Sequence, residues 1–462
     1  MHPVGQPIGT KSNTTFGTDG VRGKAGKDLS PALALQIGFW SNYVLPKEGA
    51  VLIGQDSRLS GDMVTAALTA GLTAAGREVW HIGLCPTPAV PQLIKKYQAA
   101  GGFMVSASHN PPEDNGIKIF DADAVKIDSG KQKLIESSLR GEDSKVKLMS
   151  NLSTFGKSYQ RQELLGDYQQ KLLNSVQGEN LNGIPIVLDL CWGSATSCAA
   201  EIFQALGADL TVLHGKPDGS RINVSCGSTN LKKLREAVLE KGAEMGFAFD
   251  GDADRVLAID GKGRVIDGDH ILYLWGSTLQ EHGELPSNRI VATVMSNLGF
   301  ERAWKERGGV LQRTPVGDQN VHEAMTKTGA ALGGEQSGHI LSAKHGLFGD
   351  GLLTAIQVAT ICKSKNLTLE KWRDTSFKSF PQKLVNVSLP NLVHKINWKE
   401  CEPIQKAVTQ AESSMGEDGR VLLRASGTEP LLRVMVEAKN QGDVDSWTSH
   451  LAKLVEEHLD VA

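Results

Sequence analysis

The sequence lacks most of the signals that mark secreted, membrane-bound or zinc-stabilised proteins. Its six cysteines form no C-x-x-C pair and no Cys/His cluster with the spacing of zinc ligands. We therefore interpret them as reduced thiols of an intracellular protein. The N-terminus has no charged start followed by an apolar core, and no run of about 18 apolar residues occurs in the chain. These absences predict a cytoplasmic protein that has no membrane partner.

Signals for nucleic-acid and nucleotide binding are also missing. The formal net charge is −3, so the overall basic surface that attracts nucleic acids is not expected. The chain contains neither the phosphate-loop pattern G-x-x-x-x-G-K-[ST] nor the dinucleotide fingerprint G-x-G-x-x-G. The metalloprotease pattern H-E-x-x-H is absent as well. Binding of nucleotides, dinucleotides and nucleic acids is therefore not predicted.

The chain does contain repeated α/β patterning and many glycines. Its length of 462 residues corresponds to three or four domains, and its 50 glycines indicate tight loops around a ligand. Strand-like runs such as VLIG (51–54) and MGFAF (245–249) alternate with helix-like stretches such as Met63 to Ala75. This alternation predicts parallel sheets flanked by helices through about the first 365 residues.

We divide the chain into four predicted domains. Residues 1–160, 161–262 and 263–378 are expected to form three similar α/β domains with mixed, largely parallel sheets flanked by helices. Residues 379–462 contain two closely spaced strand-like runs and a long helix, which predict a smaller α+β domain. Because ligands of parallel sheets bind beyond the carboxyl ends of strands, the polar loops near the strand ends of the first three domains are expected to line one cleft.

The first informative loop is SASHNP (106–111), which follows the strand-like run GFMV. Ser108 lies at the predicted strand end, where its hydroxyl could accept a phosphoryl group. The alternative is that the serine caps a following helix. A Ser–His hydrolase pair with His109 is disfavoured, because adjacent side chains on an extended segment point to opposite faces.

The second loop, DGDADR (250–255), places three carboxylates at alternate positions directly after a buried strand. Asp250, Asp252 and Asp254 could converge on one hard cation such as Mg²⁺, which prefers oxygen ligands. An EF-hand is excluded, because its required Gly and Glu positions are occupied by Arg255 and Gly261. The remaining alternative is a solvated acidic turn.

Two further loops could bind a sugar phosphate. GGEQSGH (333–339) offers a carboxylate, an amide, a hydroxyl and an imidazole, which suit sugar hydroxyls, although a plain glycine-rich turn is an equal alternative. RASGTEP (424–430), followed by Arg433, combines arginine with Ser, Thr and glycine amides into an anion cradle. There the alternative is an arginine paired with a surface carboxylate. Arg22 and Arg58 lie in loop-like segments and could also reach the cleft.

Five motifs together resemble the α-D-phosphohexomutase superfamily, in this order and over nearly the whole chain. They are FGTDGVRG (16–23), SASHNP with NGIK (106–118), DGDADR (250–255), GGEQSGH (333–339) and RASGTEPLLRVMVEA (424–438). The resemblance implies three similar α/β domains and a smaller C-terminal domain around one deep cleft. GGEQSGH, SGTEPLLRVMVE and TVMSNLG are most similar to the bacterial branch that interconverts glucosamine 6-phosphate and glucosamine 1-phosphate. The alternative is a phosphomannomutase/phosphoglucomutase with the same mechanism.

The resemblance also implies a reaction and its cofactors. A phosphate held on Ser108 would pass to the sugar and back through a bisphosphorylated hexose, which is either intermediate or activator. One Mg²⁺ per chain would be bound by Ser108, Asp250, Asp252 and Asp254. The small-molecule partner would be a phosphosugar, and the oligomeric state is not predicted.

The remaining roles implied by the resemblance fall into two groups. The candidates for general acid, general base and charge stabilisation are Arg22, Lys118 and His339. The residues expected to bind substrate are Glu335, Ser337, Arg424, Ser426, Gly427, Thr428 and Arg433. Two rival functions are a metal-dependent phosphatase with an aspartate nucleophile and a phosphosugar sensor without catalysis. The phosphatase leaves SASHNP and SGTEP unexplained, and the sensor is disfavoured because Ser108 and all three aspartates are present.

Overall fold

The computed structural model describes residues 16–17, 19–142, 154–176, 178–389, 398–425 and 431–459. The chain divides into two compact units. The first comprises Met1–Met295 and Gly309–Ser376, and the second comprises Ser296–Gly308 and Phe377–Ala462. Among the described residues, no helix combines the length and the apolar character that crossing a membrane requires.

The first sheet of the first unit has six strands. They are β1 (Val21–Lys24), β2 (Val51–Gln55), β3 (Val79–Leu84), β4 (Gly101–Val105), β5 (Asp114–Asp121) and β6 (Ser158–Gln160). The order is β1-β5-β4-β2-β3-β6, with β4, β2, β3 and β6 parallel and β5 antiparallel to both β4 and β1. The associated helices are α1 (Pro31–Ser41), α2 (Gly61–Ala74), α3 (Ala89–Tyr97) and α4 (Ser129–Leu139).

Helices α1 and α2 pack closely because glycine lies where they meet. A Cβ atom on Gly71 of α2 would lie 2.0 Å from the carbonyl oxygen of Leu35 in α1. Ser30 begins α1 by accepting a hydrogen bond from the Leu33 amide at 3.2 Å. Helix α2 begins at Gly61 rather than at the expected Met63. Buried Ile37 and Leu68 belong to the same apolar core as Phe103 of β4.

The second sheet has five strands. They are β7 (Pro185–Asp189), β8 (Asp209–Leu213), β9 (Met245–Phe249), β10 (Val256–Asp260) and β11 (Val265–Ile266), in the order β11-β10-β9-β7-β8. Strands β9, β7 and β8 are parallel, whereas β10 is antiparallel to β9 and β11. The associated helices are α5 (Leu165–Asn174), α6 (Ala199–Ala205) and α7 (Lys232–Lys241). All five residues of β9 are buried, as the continuous apolar run predicts.

The third sheet follows the same plan on a smaller scale. Its strands are β12 (Arg289–Thr293), β13 (Val310–Thr314), β14 (Leu332–Gly334) and β15 (Ile340–Ser342), in the order β13-β12-β14-β15. Only β15 is antiparallel to its neighbour. Its part of the chain contains α8 (Gly268–Glu281), α9 (Leu298–Glu306), α10 (Asp318–Thr328), α11 (Gly351–Ser364) and α12 (Leu369–Thr375). Helix α9 belongs to the second compact unit.

The second unit contains an antiparallel sheet of three strands. They are β16 (Gln382–Ser388), β17 (Gly419–Ala425) and β18 (Leu431–Ala438), in the order β16-β18-β17. Helices α13 (Glu402–Met415) and α14 (Gln441–Leu459) supply buried Ile404 and Leu451 to a core shared with Val434. The predicted fold class is therefore confirmed: three α/β sheets with largely parallel centres precede a smaller α+β domain. The proposed domain limits at residues 160, 262 and 378 remain predictions.

Asp350 joins three parts of the first unit at a buried point. Its carboxylate accepts hydrogen bonds from the Tyr168 hydroxyl of α5 at 3.0 Å and from the Gln92 amide of α3 at 3.3 Å. It also begins α11 by accepting from the Leu353 amide at 2.9 Å. Burial raises the pKa of Asp350 to about 6. The charged form of this carboxylate therefore opposes folding at neutral pH.

The Asp350→Asn variant should be more stable than wild type at neutral pH. Because the folded pKa lies above the unfolded value, the wild type loses stability as the pH rises through about 4 to 6, by about 3 kcal/mol. Asparagine can still accept at the helix start and carries no charge. Urea unfolding from about pH 4 to 7.5 should show the stability advantage growing with pH. If the difference in unfolding free energy between the variant and the wild type did not change with pH, the raised pKa of Asp350 would be contradicted.

Candidate active site

Ser108 lies in the loop that follows β4, with its hydroxyl directed at the acidic loop after β9. Ser108 Oγ donates to Asp250 Oδ2 at 2.6 Å, and both residues are buried. The Ser108 amide donates to Ser106 Oγ at 2.8 Å, and Ser106 Oγ donates to Asp56 Oδ2 at 2.7 Å. Strand ends from two different sheets thus bring together two segments that are 142 residues apart.

The expectation for His109 is wrong, because Ser108 is not extended. Ser108 has a φ of +52°, in the left-handed region, so the alternation of side chains along a strand does not apply. As a result, His109 Nδ1 lies 3.2 Å from Ser108 Oγ. Burial, together with the charges of Arg255 and Arg22, lowers the pKa of His109 to about 4. A neutral imidazole beside the serine is therefore an additional candidate for proton transfer.

We expect His109→Ala to lower kcat by about 10²-fold, the usual contribution of a positioned proton-transfer group. His345→Ala is the matched control, because burial and two lysines also lower the pKa of His345 to about 4. The control should leave steady-state kinetics unchanged. Equal losses in the two variants would show that His109 has no special part in the reaction.

Asp250, Asp252 and Asp254 form a buried carboxylate cluster in the loop between β9 and β10. One oxygen from each lies within 4.8 Å of the others. Asp252 Oδ1 is buried without a hydrogen-bond partner among the described residues. Burial and the two neighbouring carboxylates raise the pKa of Asp250 to about 8. The cluster offers several hard oxygen ligands close together, which fits a divalent cation such as Mg²⁺.

Lys118 on β5 supplies a cation to this cluster. Its Nζ lies 2.6 Å from Asp252 Oδ2 and 2.7 Å from Asp254 Oδ2, and the side chain is buried. Burial acts to lower the pKa of Lys118, but the two aspartates outweigh it and raise the pKa. In this arrangement the amine is an ammonium, able to donate a proton or stabilise negative charge but not to act as a base.

His339, after β14, lies between two carboxylates. Its Nδ1 is 3.6 Å from Asp254 Oδ1, and its Nε2 is 3.6 Å from Asp318 Oδ2. Burial acts to lower the pKa of His339, but Asp254 in particular outweighs it and raises the pKa. The imidazole is thus in contact with the acidic loop and with the first residue of α10. Asp318 belongs to none of the five sequence motifs, so nothing in the sequence marks it as a neighbour of His339.

Arg22, on β1, belongs to a charged chain that extends from this region. Its guanidinium lies 3.2 Å from Asp19 Oδ2 and 3.5 Å from Asn110 Oδ1 in the serine loop. Lys126 contacts Asp19 and also lies 2.6 Å from Asp318 Oδ2. Lys126 was missed in the sequence, because a lone lysine carries no motif. The structure thus brings the three predicted acid/base candidates to the surroundings of the serine and aspartate loops.

The predicted sugar-reading residues lie on the turn between β14 and β15. Glu335 is buried, and its Oε1 accepts a hydrogen bond from the Gly317 amide at 3.0 Å. Ser337 is exposed, so its hydroxyl is available to a ligand. Glu335 is therefore held by a protein hydrogen bond, whereas the Ser337 side chain is exposed to solvent.

Arg58 does not line a cleft, contrary to the expectation. Its side chain is fully buried, with Nε 3.0 Å from Asp56 Oδ2. The guanidinium donates to the carbonyl oxygens of Ser108 at 2.8 Å and Asn110 at 2.9 Å. A further bond at 2.9 Å reaches the carbonyl of Asp114. Arg58 thus stabilises the serine loop through its backbone carbonyls and is not available to bind a substrate.

The predicted anion cradle belongs to the second unit. Arg424 on β17 and Arg433 on β18 are directly opposed in the antiparallel register, and both are partly exposed. Ser426, Gly427 and Thr428 lie outside the described residues. The two described arginines share one face of the sheet, because opposed residues project their side chains to the same side.

A serine hydroxyl against a carboxylate cluster, with nearby cations, is an arrangement that suits metal-assisted phosphoryl transfer. Four domains described as "Phosphoglucomutase/phosphomannomutase" match the chain: alpha/beta/alpha domain I at residues 13–146, domain II at 166–263, domain III at 267–380 and the C-terminal domain at 384–454. The chain therefore belongs to the phosphoglucomutase/phosphomannomutase family. The resemblance inferred from the five sequence motifs is confirmed.

Curated relatives and solved structures agree with this assignment. A phosphoglucosamine mutase of Prochlorococcus marinus (strain MIT 9303) is 65% identical over 459 residues, covering 99% of this chain and 98% of the relative. One of Parasynechococcus marenigrum (strain WH8102) is 64% identical with the same coverage.

Two solved structures share the fold. A phosphoglucomutase/phosphomannomutase family protein from Burkholderia thailandensis has a TM-score of 0.78 at 24% identity, covering 96% of each chain. The Aspergillus fumigatus N-acetylphosphoglucosamine mutase in complex with GlcNAc-6P and magnesium has a TM-score of 0.70 at 18% identity, covering 96% of this chain and 95% of that chain.

Proposed function

We propose that the chain interconverts glucosamine 6-phosphate and glucosamine 1-phosphate, with Ser108 as the carrier of the phosphoryl group. The observation that carries this proposal is the 2.6 Å contact between Ser108 Oγ and Asp250 at the carboxylate cluster. The glucosamine substrate is supported by curated relatives, 59% to 65% identical over nearly their whole length, that are named phosphoglucosamine mutases.

Asp250, Asp252 and Asp254 would hold one Mg²⁺ per chain, together with an oxygen of phosphorylated Ser108. The unpartnered Asp252 Oδ1 supports this role. When bound, the cation supplies charge that offsets the phosphate dianion and polarises the phosphoryl group. The protein's own part is to keep the serine loop and the acidic loop together, since positioning and charge dominate phosphoryl transfer.

The reaction consists of two transfers through the same serine. The 1-hydroxyl of glucosamine 6-phosphate attacks phospho-Ser108, so that a bond forms between phosphorus and the sugar oxygen while the bond to Oγ breaks. The hydroxyl proton passes to a protein base, for which His339 and His109 are the candidates, whereas the cations Arg22 and Lys118 would donate a proton to the departing Ser108 Oγ or stabilise negative charge. The bisphosphate reorients and returns its 6-phosphate to Ser108, which leaves glucosamine 1-phosphate.

The substrate would be oriented by two groups of residues. Glu335 and Ser337 would read the sugar hydroxyls, because a carboxylate and a hydroxyl can each bond to vicinal hydroxyls. The phosphate that does not react would bind Arg424, Ser426, Gly427, Thr428 and Arg433. Guanidinium groups suit this task because their planar donors match phosphate oxygens.

The test is a comparison of kcat/KM for glucosamine, glucose and mannose 6-phosphates, with enzyme first phosphorylated by a hexose 1,6-bisphosphate. The proposal predicts a preference for glucosamine 6-phosphate of at least about tenfold, which corresponds to about 1.4 kcal/mol of discrimination. A higher value for glucose or mannose 6-phosphate would identify the phosphomannomutase/phosphoglucomutase alternative. Release of free phosphate without isomerisation would indicate a phosphatase.

A further inference from the structure

Two carbonyl oxygens of the serine loop each accept two hydrogen bonds, from side chains of two different segments. Arg58 donates to the Ser108 and Asn110 carbonyls at 2.8 and 2.9 Å. Asn223 Nδ2 donates to the same carbonyls, also at 2.8 and 2.9 Å. Arg58 follows β2 of the first sheet, whereas Asn223 lies after β8 of the second. The loop is therefore clamped between side chains from two sheets.

Asn223 also lies against the acidic loop. A Cβ atom on Gly251 would come within 2.6 Å of the Ser108 carbonyl oxygen and 3.0 Å of Asn223 Nδ2. Gly251 directly follows Asp250, which accepts the Ser108 hydroxyl. Thus one amide group, one carbonyl of the serine loop and the backbone of the acidic loop meet without space for an added methyl group.

The orientation of the Asn223 amide is fixed at its other end. Asn223 Oδ1 accepts from the Cys191 thiol at 3.1 Å, which directs Nδ2 towards the two carbonyls. Cys191 follows β7, and its own amide donates to Asp189 Oδ1 at 3.0 Å. The clamp therefore extends from the end of β7 through Cys191 and Asn223 to the carrier serine.

We propose that Asn223 is a positioning residue for phosphoryl transfer, which keeps the Ser108 loop against the acidic loop while the serine gains and loses its phosphate. This role rests on the proposed function. Ser108 has a left-handed backbone, a conformation that persists only when its surroundings enforce it. Phosphorylation would add a charge of about −1.5 to −2 beside buried carboxylates, which would push the loop away. Asn223 opposes that displacement from the side of the second sheet.

The chemistry of the clamp requires an amide. Two carbonyl acceptors need two N–H donors, and the NH₂ group of asparagine provides both. Aspartate has the same shape but would direct carboxylate oxygens at the two carbonyls. Asn223→Asp therefore replaces two hydrogen bonds to carbonyl oxygens with two repulsive contacts between oxygen atoms, and the side-chain volume hardly changes. Asn223→Ala only removes the two N–H donors.

The Asn223→Asp variant should lower kcat by about 10²-fold, since a small misplacement of reacting groups can have an effect of that size. The KM for the sugar phosphate should stay within about twofold of wild type, because the Asn223 side chain bonds to none of the residues proposed to bind substrate. The kcat of Asn223→Ala should fall less than the kcat of Asn223→Asp. The matched control is Asn230→Asp, which makes the same change at an exposed position and should behave as wild type.

Cys191 provides a second, independent arm of the test. Cys191→Ser keeps a donor for Asn223 Oδ1 and should retain most of the activity, whereas Cys191→Ala leaves the amide free to turn and should lower kcat. If Cys191→Ser keeps the kcat that Cys191→Ala loses, the effect comes from the hydrogen bond to Asn223 Oδ1 and not from the packing of the side chain. Equal activity of Cys191→Ala and wild type would remove the thiol from the clamp and contradict the proposed orientation.

Hydrogen exchange measured by mass spectrometry makes the test independent of turnover. Amides of residues 106–116 should exchange faster in Asn223→Asp than in wild type and Asn230→Asp. Unchanged exchange and unchanged kcat in Asn223→Asp would overturn the proposal. If the wild type isomerises no hexose phosphate, the proposed function fails, while faster exchange would still show that Asn223 holds the loop.

Discussion

Replacement of Ser108 with alanine should lower kcat for isomerisation by at least about 10⁴-fold, as expected when a covalent carrier is removed. No other hydroxyl in the described part of the chain donates to Asp250. The variant should fold normally, because the loop is held by the backbone carbonyls of Ser108 and Asn110 and not by the hydroxyl. Coupled assays of glucosamine 1-phosphate formation and a thermal melt measure the two quantities.

Ser137→Ala is the matched control for this loss. Ser137 lies on α4, and its hydroxyl donates only within that helix, to the Leu134 carbonyl at 3.0 Å. Its activity should equal that of the wild type. Turnover of Ser108→Ala at a rate near that of the wild type would refute the carrier role.

The Asp252→Asn variant should need far more Mg²⁺ and should lose about 10³-fold in kcat even at saturating metal. Asp252 offers the buried oxygen without a partner, and a metal-held charge contributes several kcal/mol to phosphoryl transfer. Titration of kcat with Mg²⁺ and calorimetry of Mg²⁺ binding would measure these effects.

The control for the metal site is Asp209→Asn, an exposed aspartate at the start of β8 in the same sheet. It should bind Mg²⁺ as the wild type does. Treatment of the wild type with EDTA should abolish turnover, and added Mg²⁺ should restore it. Full activity of metal-free enzyme, or unchanged Mg²⁺ affinity in Asp252→Asn, would remove the metal from the mechanism.

The meeting of the serine and acidic loops could be anticipated from the sequence. GFMV and MGFAF are continuous apolar runs, which predict buried parallel strands, and polar residues follow each run directly. Side chains at the carboxyl ends of such strands are exposed to ligands. The pattern therefore predicted Ser108 and Asp250 as site residues, and the structure places them in contact.

Other features depend on information that local patterns do not contain. The left-handed backbone of Ser108 turns His109 towards the hydroxyl, although the sequence suggests an extended segment. Arg58 could be assigned to a loop, but its burial results from contacts with the carbonyls of Ser108 and Asp114, which lie 50 and 56 residues away in the sequence. Asn223 has no motif of its own, and its contact with Ser108 spans 115 residues.

The ion pairs of the site could not be predicted from local sequence patterns either. Lys118 was identified as a candidate in the NGIK segment, yet its pairing with Asp252 and Asp254 requires that two sheets be adjacent. Lys126 and Asp318 form an ion pair over 192 residues, at 2.6 Å. The sequence shows which residues are charged, but the tertiary structure determines which residue each of them pairs with.

The most direct test of the carrier role is to follow the phosphate itself. Dephosphorylated enzyme is incubated with radiolabelled glucose 1,6-bisphosphate, and the labelled peptide is identified by mass spectrometry. We expect stoichiometric phosphate on Ser108, which unlabelled glucosamine 6-phosphate then removes as labelled sugar bisphosphate. Label on an aspartate of the 250–254 loop, or label on Ser108 that no hexose phosphate removes, would contradict the account.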